Sequence, residues 1–368
     1  MSTLLFERGP IRVLNHSSPT QEIITQLEST AYGTEGLAYL HGNVKEKILA
    51  LPGPNFVTLK KKDQLMGTVA LSERDTTVEN LAQHSYYIRY FSFLESMRRP
   101  NTRQPERQPS RSGNRMLKPL LWSLFDRSDL MDAKAPPKST LYYAYVESEN
   151  QRSYEMCMSF GFEPLRTMTT IPFSRAYPKA DLSLRKAKPE EQAWLLSKMK
   201  EYYRGYSMVT FETVFAGNHY WVWEEKGEIL GGLQAYPITW KFQALPGATG
   251  WATMNIVPHL PILGRLFNPK KYQFAAIEGL WTQPGREDLL APMLESALAL
   301  SSITVAMMFV DKESSIYEAV KSIQRLGLMH SLNGEVDSEI IGRFVDTEEE
   351  KRSKYLKVPA YISAFDCT

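Results

Sequence analysis

The chain has 368 residues, of which 43% are hydrophobic and 23% charged, and its formal net charge is +2. This mixture is typical of a globular protein with room for two domains of roughly 150–200 residues. The small net charge argues against a nucleic acid or membrane partner, and two cysteines are too few for a disulfide framework. The N-terminal residues lack the pattern of a secretory signal, and no stretch reaches the ~18 apolar residues of a membrane span. We therefore expect a cytoplasmic protein.

The first half of the chain predicts an alternation of strands and helices. The apolar run Ile11–Leu14 predicts a strand, after which Ser18 and Pro19 fit the N-cap and first position of a helix, with Gln21 completing a capping box. The remaining predictions follow from polar turns between β-forming runs and from apolar runs of helical length. They are a hairpin over 55–71, strands Tyr86–Phe93 and Thr140–Val146, a helix over 114–125 between these strands, and a last helix that ends at Gly161.

The second half predicts the same elements in the same order. A strand at Leu182–Arg185 is followed by a helix that Pro189 opens. The further elements are a hairpin over 219–236, strands Tyr272–Trp281 and Ile303–Val310, a helix over 289–300, and a last helix that ends at Gly327. One segment, 255–272, has no counterpart in the first half. It is apolar and interrupted by prolines, and its alternative roles are to cover the second sheet, to line a substrate cleft or to form a homodimer contact.

Corresponding features of the two halves keep nearly one spacing. The offsets are 170 (189 − 19), 164 (227 − 63), 175 (283 − 108) and 166 (327 − 161), for the pairs Pro19/Pro189, Asp63/Gly227, Gln108/Gln283 and Gly161/Gly327. Internal repetition at a fixed period indicates duplicated units. The sequence therefore predicts two copies, over residues 1–177 and 178–368, of one mixed α/β (α+β) layout, each with a mostly antiparallel central sheet flanked by helices.

A Gln-Pro-x-Arg turn precedes an apolar run in each half, at QPSRSG (108–113) and at QPGRED (283–288). Backbone N–H groups at the N-terminus of a helix are well placed to hold a pyrophosphate, and a glycine lets the backbone approach closely. Gly113 suits this role, whereas the carboxylate of Asp288 would repel a phosphate. The first copy is therefore better suited than the second to bind a pyrophosphate.

These residues resemble the GNAT superfamily of acyl-CoA-dependent N-acyltransferases, whose motif is Arg/Gln-x-x-Gly-x-Gly/Ala. Gln108 and Gly113 fit the motif, and Arg111 stands in place of its first glycine. Downstream, Asn150 opens a helix that leads to Gly161 and Phe162, as in the superfamily, and Cys157 stands where the superfamily often has a tyrosine. The resemblance covers nearly all of the first half; in the second it depends on layout more than on motif.

The resemblance implies acyl transfer, with acetyl-CoA as cosubstrate and no metal, to the amine of a small molecule. It implies a general base, Glu95 with Glu147 as its rival, and an acid, Cys157 or Tyr154. A backbone N–H at Phe93 or Leu94 would polarise the thioester carbonyl. The residues expected to bind the cosubstrate are Phe93, Leu94, Gln108, Arg111, Ser112, Gly113, Asn114, Arg115 and Asn150.

Three alternatives stay open at this point. In the first alternative, the second copy is the active one. In the second, the protein is a non-catalytic acyl-CoA sensor or interaction module. In the third, an arginine-rich run in the first half binds nucleic acid. In that run, Arg99, Arg103, Arg107, Arg111 and Arg115 are spaced by four, but prolines between them argue against one continuous helix. Collecting the phosphates of CoA and forming a solvated loop are the other interpretations of the run.

Overall fold

The computed structural model describes residues 2–33, 36–93, 122–132 and 138–367. Within these residues the strands join into a single 14-stranded sheet. Its strands are β1 (Ser2–Arg8), β2 (Ile11–His16), β3 (Ala38–His41), β4 (Pro54–Lys61), β5 (Gln64–Val78), β6 (Leu81–Phe93), β7 (Thr140–Glu147), β8 (Glu163–Ser174), β9 (Leu184–Lys186), β10 (Tyr220–Glu225), β11 (Glu228–Ala244), β12 (Tyr272–Thr282), β13 (Val305–Asp311) and β14 (Val336–Val345).

The order of strands is symmetric about the middle of the sheet. From one edge it runs β1, β2, β4, β5, β6, β7, β14, β8, β13, β12, β11, β10, β9, while β3 pairs with β11. Each half contains one parallel pair, β6 with β7 and β12 with β13, among antiparallel neighbours. The last strand of each half is exchanged: β14 lies beside β7, and β8 lies beside β13. The two halves therefore share one continuous sheet.

The predicted hairpins are confirmed. Strands β4 and β5 are antiparallel partners around the turn at Lys62, and β10 and β11 are antiparallel partners around Lys226 and Gly227. All three turn residues have positive φ, the conformation that a tight antiparallel hairpin requires.

Both long inner strands carry a β-bulge at the same relative place. The register of β6 against β5 shifts between Arg89 and Ser92, and that of β12 against β11 shifts between Glu278 and Trp281. The residue that follows Arg89 in β6 and the one that follows Glu278 in β12 have left-handed backbone conformations, with φ 53° at Tyr90 and φ 56° at Gly279. A bulge bends the strand and takes backbone groups out of the ladder.

Helices cover the sheet or connect its strands. They are α1 (Gln21–Glu28), α2 (Val44–Leu49), α3 (Gln151–Ser159), α4 (Gln192–Tyr202), α5 (Gly247–Asn255), α6 (Leu263–Leu266), α7 (Leu290–Leu300), α8 (Ser315–Lys321), α9 (Leu328–Asn333) and α10 (Glu349–Lys357). Residues 122–125 are helical as well, at the end of the predicted helix 114–125. No helix among the described residues is long and apolar enough to cross a membrane.

Two predicted helix boundaries are wrong. Thr20, not Ser18, caps α1, because its hydroxyl accepts the N–H of Ile23. In the second half the helix ends at Lys321, and Gly327 precedes the next helix, α9. Gly327 has φ 105°, and a Cβ there would lie 2.1 Å from the carbonyl oxygen of Ser174, so close packing against β8 explains this glycine.

Candidate functional site

Strands β6 and β7 diverge and open a cleft in the first half. They pair in parallel only from His84 with Thr140 to Tyr87 with Tyr143. Beyond this point the bulge at Tyr90 bends β6 away, and a cavity of about 300 Å³ lies between the strands. This volume is at the lower end of the range for small-molecule sites, roughly 300–1,000 Å³.

The cavity is lined by both apolar and polar side chains. Phe125, Met156, Phe160 and Phe162 are among the apolar ones. Among the polar ones, Asn150 caps α3 by accepting the N–H of Ser153 at 3.2 Å, and Glu147 ends β7. Glu147 keeps more than a third of its surface exposed, yet partial burial, and to a smaller extent Glu149, raises the pKa of its carboxyl. A carboxylate with a raised pKa is a better proton acceptor for an amine.

The C-terminal segment forms one wall of the cavity through Asp366 and Cys367. Asp366 is 3% exposed and pairs with Arg74, whose two terminal nitrogens lie 2.8 and 3.0 Å from its carboxylate oxygens. Tyr87, a lining residue on β6, donates its hydroxyl to the Asp366 carbonyl at 2.8 Å. The segment is therefore fixed to β5 and β6 by buried hydrogen bonds, of which those between Arg74 and Asp366 are charge-assisted.

Two further charged residues, Arg89 and Glu278, hold the residue before Asp366. Arg89 donates to the carbonyl oxygen of Phe365 at 3.1 Å, and the N–H of Phe365 donates to Glu278 at 3.2 Å. Glu278 also accepts from the hydroxyls of Thr213 and Tyr361. Burial, and then the charge of Asp366, raises the pKa of Glu278 to about 7. The carboxyl therefore changes its charge near neutral pH.

An aromatic group from β3 closes another side of the cavity. Tyr39 and His41 line the cavity, and both stack on Trp240 of β11, at 4.5 and 5.7 Å between ring centroids. Burial, followed by the charges of Lys47 and Arg89, holds the pKa of His41 well below its usual value. Among the described residues, none forms a hydrogen bond with its buried Nδ1. His41 is therefore a neutral imidazole beside the cavity.

The corresponding cleft in the second half is filled. Between β12 and β13 the cavity measures only about 30 Å³, and Tyr203 and Tyr361 are among its lining residues. Asp311, which ends β13 as Glu147 ends β7, is paired with Arg166 at 2.9 Å and accepts the N–H of Ala360. The carboxylate that faces the cavity in the first half is thus neutralised in the second.

The structure brings some of the predicted site residues together. Asn150 and Cys157 line the cavity, as does Glu147. Burial raises the pKa of the Cys157 thiol to about 11. Tyr154 packs against the neighbouring apolar core and is not among the described residues that line the cavity. Phe93 lies opposite Gly67 in the β5–β6 ladder, past the bulge.

The other predicted residues lie outside the described part of the chain. They are Leu94, Glu95, Gln108, Arg111, Ser112, Gly113, Asn114 and Arg115, together with the rest of the arginine run. Their roles stay predictions.

Sequence reasoning missed two charged residues on the inner strands, Arg89 of β6 and Glu278 of β12. Each is a single charge inside an aromatic or apolar strand, in YYIRYFSF and in YQFAAIEGLW. A buried charge requires a partner, so this pattern could have indicated their importance. The partner itself, the backbone of Phe365, is distant in sequence and leaves no local signal. His41 and Asp366 were missed because their partners, Trp240 and Arg74, are also distant in sequence.

Comparison with known proteins finds similar folds among solved structures. No family model matches the sequence, and no curated protein matches it. A solved structure of Saccharomyces cerevisiae N-myristoyltransferase with bound myristoyl-CoA and inhibitors is similar, with a TM-score of 0.58 and 12% identity over 97% of this chain and 87% of that chain. Another structure of that enzyme with bound myristoyl-CoA has a TM-score of 0.54 and 11% identity, over 95% of this chain and 88% of that chain. A GCN5-related N-acetyltransferase from Sphaerobacter thermophilus has a TM-score of 0.43 and 12% identity, over 82% and 86%.

At this level of identity, the likeness to N-myristoyltransferase shows the fold. The predicted GNAT-like fold is therefore confirmed, as a mixed α/β architecture with a large, mostly antiparallel sheet flanked by helices.

Proposed function

We propose that the protein transfers an acyl group from an acyl-CoA to an amine in the cleft between β6 and β7. The observation that carries the proposal is a cavity of about 300 Å³ at the bulge of β6, in a fold shared with an enzyme solved with myristoyl-CoA bound. The filled cleft of the second half favours the first half as the site, since only about 30 Å³ remain there. The second half would then shape and support the site.

In the proposed reaction, the neutral amine attacks the thioester carbonyl. A C–N bond forms, the C–S bond breaks, and the proton of the amine passes to a base while the CoA sulfur leaves as a thiolate that takes up a proton. Glu147 is the candidate base because it lines the cavity and its carboxyl has a raised pKa. Cys157, held as a thiol by its raised pKa, or Tyr154 remains the candidate acid.

The oxyanion that forms on the thioester carbonyl needs hydrogen-bond donors in place. The bulge at Tyr90 and Phe91 removes backbone groups from the β5–β6 ladder beside the cavity. We therefore place the donor at this bulge, two to four residues before the positions expected from the sequence, Phe93 and Leu94.

The finer expectation is an acetyl group and a small-molecule amine. The lining by Phe125, Phe160 and Phe162 favours an apolar acyl group, and a series from acetyl-CoA to myristoyl-CoA would establish the chain length accepted. The division into copies 1–177 and 178–368 is supported by the symmetric strand order. Because β8 and β14 are exchanged between the halves, the test uses the full chain.

The test combines acyl-CoA binding with the release of CoA thiol in the presence of a panel of amines. Ser153→Trp on α3 places a large side chain in the cavity, whereas its exposed neighbour Arg152, which is not among the described lining residues, provides the control Arg152→Trp. We expect at least about 10-fold weaker acyl-CoA binding in the first variant and unchanged binding in the second.

Two results would contradict the proposal. Unchanged binding in Ser153→Trp would move the cosubstrate out of the first-half cleft and favour the second half. Tight binding by the wild type without thiol release for any amine would favour the sensor alternative.

A further inference from the structure

The segment between β11 and β12 is a compact helical insertion. It comprises α5, a 3₁₀ turn at Val257–His259 and α6, linked by backbone hydrogen bonds such as Gly264 N–H to Leu260 O at 2.8 Å. Gly250 is required at its bend, because a Cβ there would lie 2.4 Å from the Leu245 carbonyl oxygen. These contacts give the insertion a defined conformation.

The base of the insertion is anchored to the rest of the protein. Leu266 is 3% exposed, and Phe267 packs against Phe242 and Tyr272 at 5.3 and 5.2 Å between ring centroids. Arg265 donates to the Ala176 carbonyl at 2.8 Å. The contacts of these three residues hold the insertion in place against the rest of the protein.

The insertion exposes four large apolar side chains within twelve residues. Their exposed fractions are 63% for Trp251, 47% for Ile256, 41% for Leu260 and 52% for Ile262. Single exposed hydrophobic residues are normal on a protein surface, but such a concentration on one small element indicates an interaction site.

Every charged residue in the insertion and in the sequence beside it is a lysine or an arginine. Residues 229–277 contain no aspartate and no glutamate, although the chain has 41 acidic residues in total. The same stretch carries Lys241, Arg265, Lys270 and Lys271, all of them exposed. The net charge of the whole chain is only +2 because its acidic residues lie outside this positively charged stretch.

We propose that the insertion, residues 245–271 together with Lys241, docks the protein on an anionic lipid surface. Trp251, Ile256, Leu260 and Ile262 would enter the interface between headgroups and acyl chains, and the lysines would meet the anionic headgroups. An anionic lipid surface would thus contact both the exposed apolar side chains and the positive charges. A protein partner would need a surface that is both apolar and acidic.

Docking would bring the candidate site near the lipid. The insertion follows the end of β11, where Lys241 and Phe242 pair with Leu40 and Tyr39 of β3. Tyr39 lines the cavity. The proposal itself does not depend on acyl transfer, since binding to lipid is measured without any substrate.

The test is flotation of the full-length protein with vesicles of phosphatidylcholine alone and with added phosphatidylserine. We expect binding to the anionic vesicles that weakens as salt is added. Trp251→Ala with Ile262→Ala should lower the partition coefficient at least about 10-fold. Lys270→Glu with Lys271→Glu should lower it by about 5-fold or more per lysine on anionic vesicles.

Leu4→Ala provides the matched control, because Leu4 is 51% exposed on β1 at the opposite edge of the sheet. This variant should float like the wild type. Absence of binding to anionic vesicles at low salt would overturn the proposal. So would a concentration-dependent dimer that Trp251→Ala abolishes, because the occupant would then be a second copy of the chain.

Discussion

Arg89 and Glu278 hold the same residue, Phe365, from opposite sides: one binds its carbonyl oxygen and the other its N–H. Each stands immediately before the left-handed residue of a bulge, Arg89 before Tyr90 and Glu278 before Gly279. Equivalent positions of the two halves have thus taken opposite charges, and together they clamp the segment that forms a wall of the candidate site.

The charge of Glu278 should make stability depend on pH. Its pKa is about 7 in the folded protein and near its ordinary value, 4.5, in the unfolded chain. Between these values the folded state binds a proton that the unfolded chain has released, so stability falls as pH rises through this window and levels off above it. The loss should approach about 3 kcal/mol. Glu278→Gln should remove this decrease.

Urea unfolding between about pH 5 and about pH 8 measures this effect as the difference between the two pH profiles. The control is Glu190→Gln, at an exposed position, which should follow the wild-type profile. Parallel profiles for wild type and Glu278→Gln would show that this carboxyl has an ordinary pKa.

The ion pair between Arg74 and Asp366 should be essential for stability. Both side chains are at most 1% exposed, so Arg74→Met leaves a buried carboxylate without its cation. We expect a loss of about 3–5 kcal/mol. The double variant Arg74→Met with Asp366→Leu should recover part of this loss, because no unpaired charge remains.

Denaturant unfolding of the wild type, the two single variants and the double variant gives the coupling energy directly. Additive losses would contradict a buried, coupled pair.

The fold was predictable from the sequence because its signals are local. The turns around Lys62 and Gly227 and the apolar runs beside them place both hairpins, although the second strand of each continues beyond its predicted end, to Val78 and to Ala244. The exchange of β8 and β14 was not predictable, because two neighbouring strands of similar pattern can pair in either order. At the site, Asn150 was found through the resemblance to the superfamily, in which an asparagine opens the corresponding helix, whereas Asp366 reaches Arg74 across a separation that leaves no pattern in the sequence.

Cys157 should react slowly with alkylating reagents. Burial raises its pKa to about 11 from an ordinary 9.0, which lowers the thiolate fraction near neutral pH about 100-fold. Acyl-CoA should slow the reaction further, because Cys157 lines the cavity. Timed iodoacetamide labelling with peptide mass spectrometry separates Cys157 from Cys367, and the unfolded protein supplies the reference rate. Labelling that acyl-CoA does not change would place the cosubstrate away from α3.

Glu147→Gln should lower kcat by about 100- to 10,000-fold while leaving the affinity for acyl-CoA nearly unchanged, because the carboxylate is proposed to accept a proton from the amine and not to hold the cosubstrate. In the wild type, kcat/KM should rise with pH through the pKa of this carboxyl, which lies above its ordinary value. In the variant this limb of the profile should be missing. Glu149→Gln is the matched control: it keeps the base but removes a nearby negative charge, so it should retain most activity and shift the limb to lower pH. Activity of Glu147→Gln with the limb preserved would assign proton transfer to another group, and His41, neutral beside the same cavity, would be the next residue to replace.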